Sequence, residues 1–442
     1  MATLIQLDFK ICRAIPMLNL VSIVLSIFLL NSLLAQGNWV KHETPTSYNL
    51  KCLYFLDSLK GWVAGDSGII MFTSDGGNSW QIQNTPINYS IHNIHFLNEH
   101  LGWALSWRRN EFGPIGTTFL KTTNGGSTWI AEDYGKDLTF LHSIFFQTPL
   151  IGWVCGEPGT ILKTTDGGVD WSEARISNIQ FANFPIVKLK FFDNMFGLGC
   201  GGIRDIAGVI WVTSDGGNNW DSFPIGPEPI LDFQILDTNF VVAVGGDYEY
   251  GTSVSISYDK GLNWIYRTLD IFGIANSVAF KNFHEGWLNL IGERKFLVTM
   301  DTGWTWSEYP APDSVQPNQI VFTDSLHGYA VCDSGYILKY RPPFFSKTEN
   351  SNSPTKKLIR FDVFPNPFNS ITQIVVDLPS AGKVELELFD ILGRKLKAIF
   401  SGNMSAGAHR IDFNAQNLST GIYLLRLKME NLILTKKIIL IR

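Results

Sequence analysis

Cysteine is scarce in this chain, with five in 442 residues and no Cys-x-x-Cys pair. That excludes a disulfide scaffold and a thiolate zinc module. Cys155, Cys200 and Cys332 fall at the same small-residue strand of different repeats, which predicts buried single thiols. Histidine spacing offers no metal site either, because His92 and His95, three apart on a predicted strand, point to opposite faces. Positive charge is also short. Residues 37–341 hold 19 Lys and Arg against 31 Asp and Glu, a net of −12, which argues against a nucleic-acid partner. Residues 361–442 hold 10 against 7, a net of +3, too small to mark a nucleic-acid or membrane patch. No long stretch of helical periodicity follows residue 36. Neither a cofactor nor a metal is expected.

The one extended apolar run, Leu18–Leu34, follows Lys10 and Arg13 and closes on Leu34-Ala35-Gln36. Residues 1–36 therefore read as a secretory signal peptide, leaving no stable transmembrane segment once removed. An uncleaved anchor is the competing reading, since the run is just long enough to span a bilayer.

What the chain has in abundance is glycine (40), phenylalanine (31) and tryptophan (14), set among Val/Ile/Thr-rich runs that favour β-structure. One phrase, a hydroxyl residue followed by Asp, Gly and Trp, recurs six times. Its acidic or amide residues are Asp75, Asn124, Asp166, Asp215, Asp259 and Asp301, and its tryptophans are Trp80, Trp129, Trp171, Trp220, Trp264 and Trp306. An Asp or Asn that bonds its own backbone, followed by Gly at positive φ, makes a hairpin turn, and the Trp opens the next strand with a large apolar face. Both are structural roles.

The tryptophans are 49, 42, 49, 44 and 42 residues apart, the period of a four-stranded propeller blade. Three more strands follow Trp306 without a seventh copy of the phrase. The missing outer strand is predicted at the other end, where Gly37-Asn-Trp39 matches the exit of a copy, 41 residues before Trp80. The expected fold is all-β: residues 37–341 form a seven-bladed β-propeller closed by its N-terminal strand. A polar, proline-containing linker spans 342–360, and a small β-sandwich spans 361–442, where Val384-Glu-Leu-Glu-Leu-Phe389 alternates strictly.

The repeated phrase resembles the Asp-box (BNR repeat) of sialidase-type and glycoside-hydrolase propellers. The longer sentence Gly-Trp-x-x-Gly-x-x-Gly-x-Ile-x-x-Thr-x-Asp-Gly-Gly, at 61–77 and 152–168, more closely resembles the photosystem II stability/assembly-factor-like propellers, which in other bacteria occur as secreted proteins. The C-terminal segment resembles the type A sorting domain of the type IX secretion system, through Phe364-Pro-Asn-Pro-Phe-Asn369, Phe389-Asp-Ile-Leu-Gly-Arg394 and Leu418-Ser-Thr-Gly-Ile-Tyr423. That resemblance implies the type IX machinery as a partner and a secreted or cell-surface protein of a bacterium with an outer membrane.

Three function classes remain open: a binding propeller for a glycan or protein, a sialidase-like glycoside hydrolase, and a protein assembly or stability factor. The repeated turns join strands c and d, so the loops joining b and c leave the opposite face of the ring. Four of these are long and varied, and variable loops on a rigid scaffold are where binding is usually placed. The candidate ligand-binding residues are Trp107, Arg108, Arg109, Arg204, Asp247, Tyr248, Tyr250 and Arg294, because aromatic and Arg side chains suit stacking and hydrogen bonding to sugar or peptide. The hydrolase reading is disfavoured, since the early Phe/Tyr-Arg-Ile-Pro motif of sialidases is absent; no catalytic residue is assigned.

Overall fold

The computed structural model describes residues 38–342 apart from 178, and residues 360–440 apart from 365, 367, 379, 391–393, 430 and 431. The signal segment, most of the linker, and Pro365, Pro367 and Ile391–Gly393 of the sorting-domain phrases lie outside the described residues. The chain divides into two compact units at Phe345/Ser346.

Among the described residues the first unit contains seven sheets, antiparallel except for one short outer strand in the fourth. Blade 2 is typical: Ile91–Phe96 (a), Gly102–Asn110 (b), Gly113–Thr122 (c) and Ile130–Asp133 (d). Blade 7 takes Pro317–Phe322, Gly328–Cys332 and Ile337–Arg341 from the end of the unit and Asn38–His42 from its start, with Trp39 opposite Tyr340. The innermost strands touch in sequence around the ring, and the a strand of blade 7 touches that of blade 1. The ring is therefore closed, and the outer edge of blade 7 is covered, as the sequence predicts.

The recurring residues explain how blades pack. Trp62, on strand b of blade 1, stacks on Phe96 of blade 2 with ring centroids 3.6 Å apart, and Trp129 meets the same ring edge-on at 5.9 Å. Trp103, Phe146 and Trp171 repeat the arrangement, as do Trp153, Phe191 and Trp220. The phenylalanine lies over the glycine that opens strand b of its own blade: a Cβ at Gly102 would stand 2.5 Å from the Phe96 ring. Gly-Trp at the start of strand b is thus a packing requirement, since only a missing side chain leaves room for the ring that the previous blade's tryptophan covers.

Polar side chains on the inner strands stitch one blade to the next. Asn93 accepts from the Ile144 amide, Asp232 from Val278, Gln234 from Phe280, and Gln319 from Leu53 across the closure, at 3.2, 3.0, 2.6 and 2.8 Å. Each satisfies a backbone donor that no strand partner reaches.

The repeated turns are bonded alike. In the first, Thr73 Oγ1 donates to Asp75 Oδ1 at 2.8 Å and accepts the Gly77 amide at 2.8 Å, while Asp75 Oδ1 also accepts the amides of Asn78 and Ser79. Bonds from the Ser79 hydroxyl and amide, with those from Thr73 and Asn78, hold the Asp75 carboxyl down at about 2, below its ordinary 3.8. Asp166 and Asp259 are lowered too. A carboxylate lowered on folding stabilises above its unfolded value and loses that contribution as pH falls through the folded one. Stability is therefore expected to drop between about pH 4 and pH 2. Asp75→Asn, which copies the Asn124 turn, flattens part of that slope in urea denaturation read at each pH. A slope identical to wild type would refute this.

Two features depart from expectation. Blade 4 has five strands, because Arg175–Ile176, on the way in from blade 3, adds parallel to Asn219–Gly226 at the outer edge. Period and turn chemistry do not register so short a strand. Three of the four long b–c loops are also shorter than predicted, because pairing runs on through their glycines: Ile203 pairs with Ala207, Asp247 with Gly251 and Asn110 with Gly113. Cys52, Cys155, Cys200 and Cys332 are buried free thiols, as expected for the last three.

The second unit is a sandwich of a three-stranded and a four-stranded antiparallel sheet. Val384, Leu386 and Leu388 alternate into its core with Ile374, Val376, Leu425, Leu427 and Ile438. Asn366 bonds the last strand from both ends of its amide, donating to the Lys437 carbonyl at 2.8 Å and accepting the Ile439 amide at 2.7 Å. Arg394 closes its hairpin on Asp390, Nε to Oδ2 at 2.6 Å. Among the described residues no helix is long and apolar enough to cross a membrane.

Candidate functional site

The b–c hairpins distribute the predicted residues unequally. In blade 2, Trp107 and Arg108 lie within paired strand, opposite Thr117 and Gly116. Trp107 donates its indole N–H to the Leu141 carbonyl at 2.9 Å and packs against His92 and His142. Arg108 is paired with Asp133 at 3.0 Å and with Asp137. Both are committed to contacts within blades 2 and 3, because extension of the hairpin turned a predicted loop into strand with fixed neighbours. Arg109 and, on blade 6, Arg294 are exposed.

Blades 4 to 6 bring the remaining residues together. The tip Arg204-Asp205-Ile206 closes the b–c hairpin of blade 4, and Tyr248-Glu249-Tyr250 that of blade 5. Asp247 caps the second tip by accepting the amides of Glu249 and Tyr250 on Oδ1, at 3.0 and 2.6 Å. Asp205 holds φ at 60°, a conformation that an Asp side chain tolerates better than most. Arg204 stands over the Tyr248 ring, 6.0 Å from its centroid. Tyr248 reaches towards blade 6, with its hydroxyl 3.5 Å from the Ile291 carbonyl and its ring 5.8 Å from that of Phe272. Ile206, Tyr248, Tyr250 and Phe272 are all exposed, between 45 and 62%, on the hairpin tips of blades 4 and 5 and the connector after blade 5, with Arg204 over Tyr248 and Tyr248 beside Phe272. Scattered exposed apolar residues are ordinary, whereas a cluster drawn from consecutive blades marks a contact surface.

Beneath this surface lie three carboxylates. Asp205, Glu228 and Asp247 each bring one oxygen to within 4.8 Å of the other two. Glu228 and Asp247 are 1 and 2% exposed. Burial, then the charge of Asp247, raises the Glu228 carboxyl above its ordinary range, and Arg204 and the Asp205 amide offset this only in part. Tyr266, raised first by burial, also feels Glu228 and Asp247. Among the described residues these oxygens are the group placed to hold a cation. Sequence reasoning names Arg204, Asp247, Tyr248 and Tyr250 here, and misses Asp205, Glu228 and Phe272. The last two sit in connectors between blades, Gly226-Pro-Glu-Pro229 and Ile271-Phe-Gly273, where no spacing rule marks them.

A closed seven-bladed propeller with a surface on its b–c face, followed by a separate β-sandwich, defines a two-part β-protein. Residues 79–227 match the family model described as photosynthesis system II assembly factor YCF48, and residues 362–441 match that of the secretion system C-terminal sorting domain. The C-terminal unit thus marks the chain for export by the type IX secretion system, to the outer surface or beyond. The chain is 27% identical over 188 residues to the photosystem II assembly lipoprotein Ycf48 of Synechococcus sp. (strain CC9902), covering 41% of this chain and 53% of that protein. It is 32% identical over 109 residues to the chloroplastic photosystem II stability/assembly factor HCF136 of Oryza sativa subsp. japonica, covering 23 and 24%. The matched stretch thus spans from about a quarter to about half of these relatives. Among solved structures, YCF48 bound to D1 peptide is similar with a TM-score of 0.55 at 19% identity, covering 69% of this chain and 96% of that one. At that identity the likeness is one of fold.

Proposed function

We propose that this is a secreted or cell-surface binding propeller, exported through its sorting domain, that grips a partner on the face opposite the repeated turns. The carrying observation is the exposed set of Ile206, Tyr248, Tyr250 and Phe272, with Arg204 over Tyr248, contributed by the hairpins of blades 4 and 5 and the connector that leads to blade 6. Tyr and Arg are the residue types that most often dominate binding energy at protein interfaces. A peptide segment is the better fit than a sugar: the surface combines apolar area with one guanidinium, and the similar YCF48 structure holds a peptide. The N-terminal residues 1–36 serve as the export signal in this reading.

Binding of the purified protein to peptide and glycan arrays tests it. Selected peptides are expected to lose at least about tenfold in affinity with Arg204→Ala or Tyr248→Ala, and little with Arg109→Ala, which lies on blade 2. Binding that survives both of the first two substitutions, or that is confined to glycans, would overturn it.

A further inference from the structure

Asp205, Glu228 and Asp247 come from three separate segments: the b–c hairpins of blades 4 and 5 and the connector between those blades. Their chemistry leaves a deficit. The Glu228 carboxylate is 1% exposed, and neither of its oxygens meets a donor at full hydrogen-bonding geometry, the Asp205 amide and Arg204 acting on it only from nearby. A buried carboxylate so weakly supplied with donors is strongly disfavoured, more so beside two others. Asp247 accepts the amides of Glu249 and Tyr250 on Oδ1 and brings one carboxylate oxygen to the trio. The nearby positive charge is Arg204. Asp205 is exposed, so the cluster has a path to water.

We propose that Asp205, Glu228 and Asp247 form a calcium site at the junction of blades 4 and 5. The three side-chain oxygens lie within 4.8 Å of one another, close enough to share one cation. The chemistry of the ligand set favours calcium: Ca²⁺ takes several carboxylate oxygens in irregular geometry, whereas Mg²⁺ demands a near-ideal octahedron and keeps several of its waters. Three carboxylates supply fewer than the six to eight ligands that Ca²⁺ takes, and water entering past exposed Asp205 completes the set. The ion supplies the charge that Glu228 lacks and ties both hairpin tips to the connector. The site shares its hairpins with the proposed partner surface but stands on its own carboxylates, so either reading can fail without the other.

Terbium, a calcium substitute whose emission neighbouring tyrosines excite, is the probe, with Tyr250 and Tyr266 both within electrostatic reach of the trio. The full chain is expected to show saturable emission that Ca²⁺ displaces, and a melting temperature that rises with Ca²⁺ and falls back with chelator. Glu228→Gln and Asp205→Asn should each weaken Tb³⁺ and Ca²⁺ at least tenfold. Glu228→Gln should also hold or raise stability without calcium at pH 7, because it removes a weakly partnered buried charge. Asp205→Asn is the safeguard if Glu228→Gln fails to fold: the residue is exposed, and Asn accepts its positive φ. No displaceable emission up to about 10 mM Ca²⁺, above the range of weak extracellular calcium modules, or wild-type affinity in Asp205→Asn, would overturn the proposal.

Discussion

Trp39→Ala is expected to destabilise the propeller by about 3–5 kcal/mol, the cost of emptying a large buried aromatic site. Trp39 is 3% exposed and lies among Phe296, Phe322, Tyr340 and Trp287, with centroids 5.2 to 5.7 Å away. It is carried by Asn38–His42, the strand that completes blade 7, so the lost packing loosens the closure of the ring as well as one blade. A domain has about 5–15 kcal/mol in all, so a large part of the stability is at stake. Urea denaturation followed by tryptophan fluorescence measures it, with Ile130→Ala, on a side chain 74% exposed, expected within about 0.5 kcal/mol of wild type. A Trp39→Ala loss below about 1 kcal/mol would show that the ring holds without its N-terminal strand.

Phe96→Ala should cost a similar 3–5 kcal/mol, roughly, because its ring joins Trp62 of blade 1 to Trp129 of its own blade. Gly102→Ala should cost about 1–3 kcal/mol by overpacking, since the new Cβ meets that ring. The two are coupled with a defined sign. Once the ring is removed, Gly102→Ala should be nearly neutral, giving an interaction energy of about 1–3 kcal/mol in a double-mutant cycle. Additive losses would mean that the glycine serves some purpose other than making room for the phenylalanine. The same geometry recurs at Gly61 under Phe55, Gly152 under Phe146 and Gly286 under Phe280, so one result speaks for several blades.

The features legible in the sequence are those with local causes. Thr73, Asp75, Gly77 and Ser79 bond one another within seven residues, so their turn is written in a short phrase and its repetition counts blades. The seventh blade follows from the exit of that phrase at Gly37–Trp39 and from three strands after Trp306. Less was legible at the site. Arg204, Asp247, Tyr248 and Tyr250 were marked by residue type and by position on the b–c face. Trp107 and Arg108 were marked by the same rule, yet they are taken up by Leu141, Asp133 and Asp137, because the b–c hairpin of blade 2 extends as paired strand beyond the glycines that suggested a loop.

By itself the sequence determined the architecture: β-structure throughout, seven repeats of one packing sentence, a closing strand at the N-terminal side and a separate export sandwich. Each follows from periodic apolar residues and turns whose bonds span a few positions. Only the tertiary structure decided which residues meet. Asp205, Glu228 and Asp247, and likewise Tyr248 with Phe272 and Ile291, belong to successive blades and connectors, and no spacing rule joins them. They are neighbours because strands wound around a closed ring return every b–c hairpin and every connector to one face, where burial then makes a weakly partnered carboxylate chemically significant.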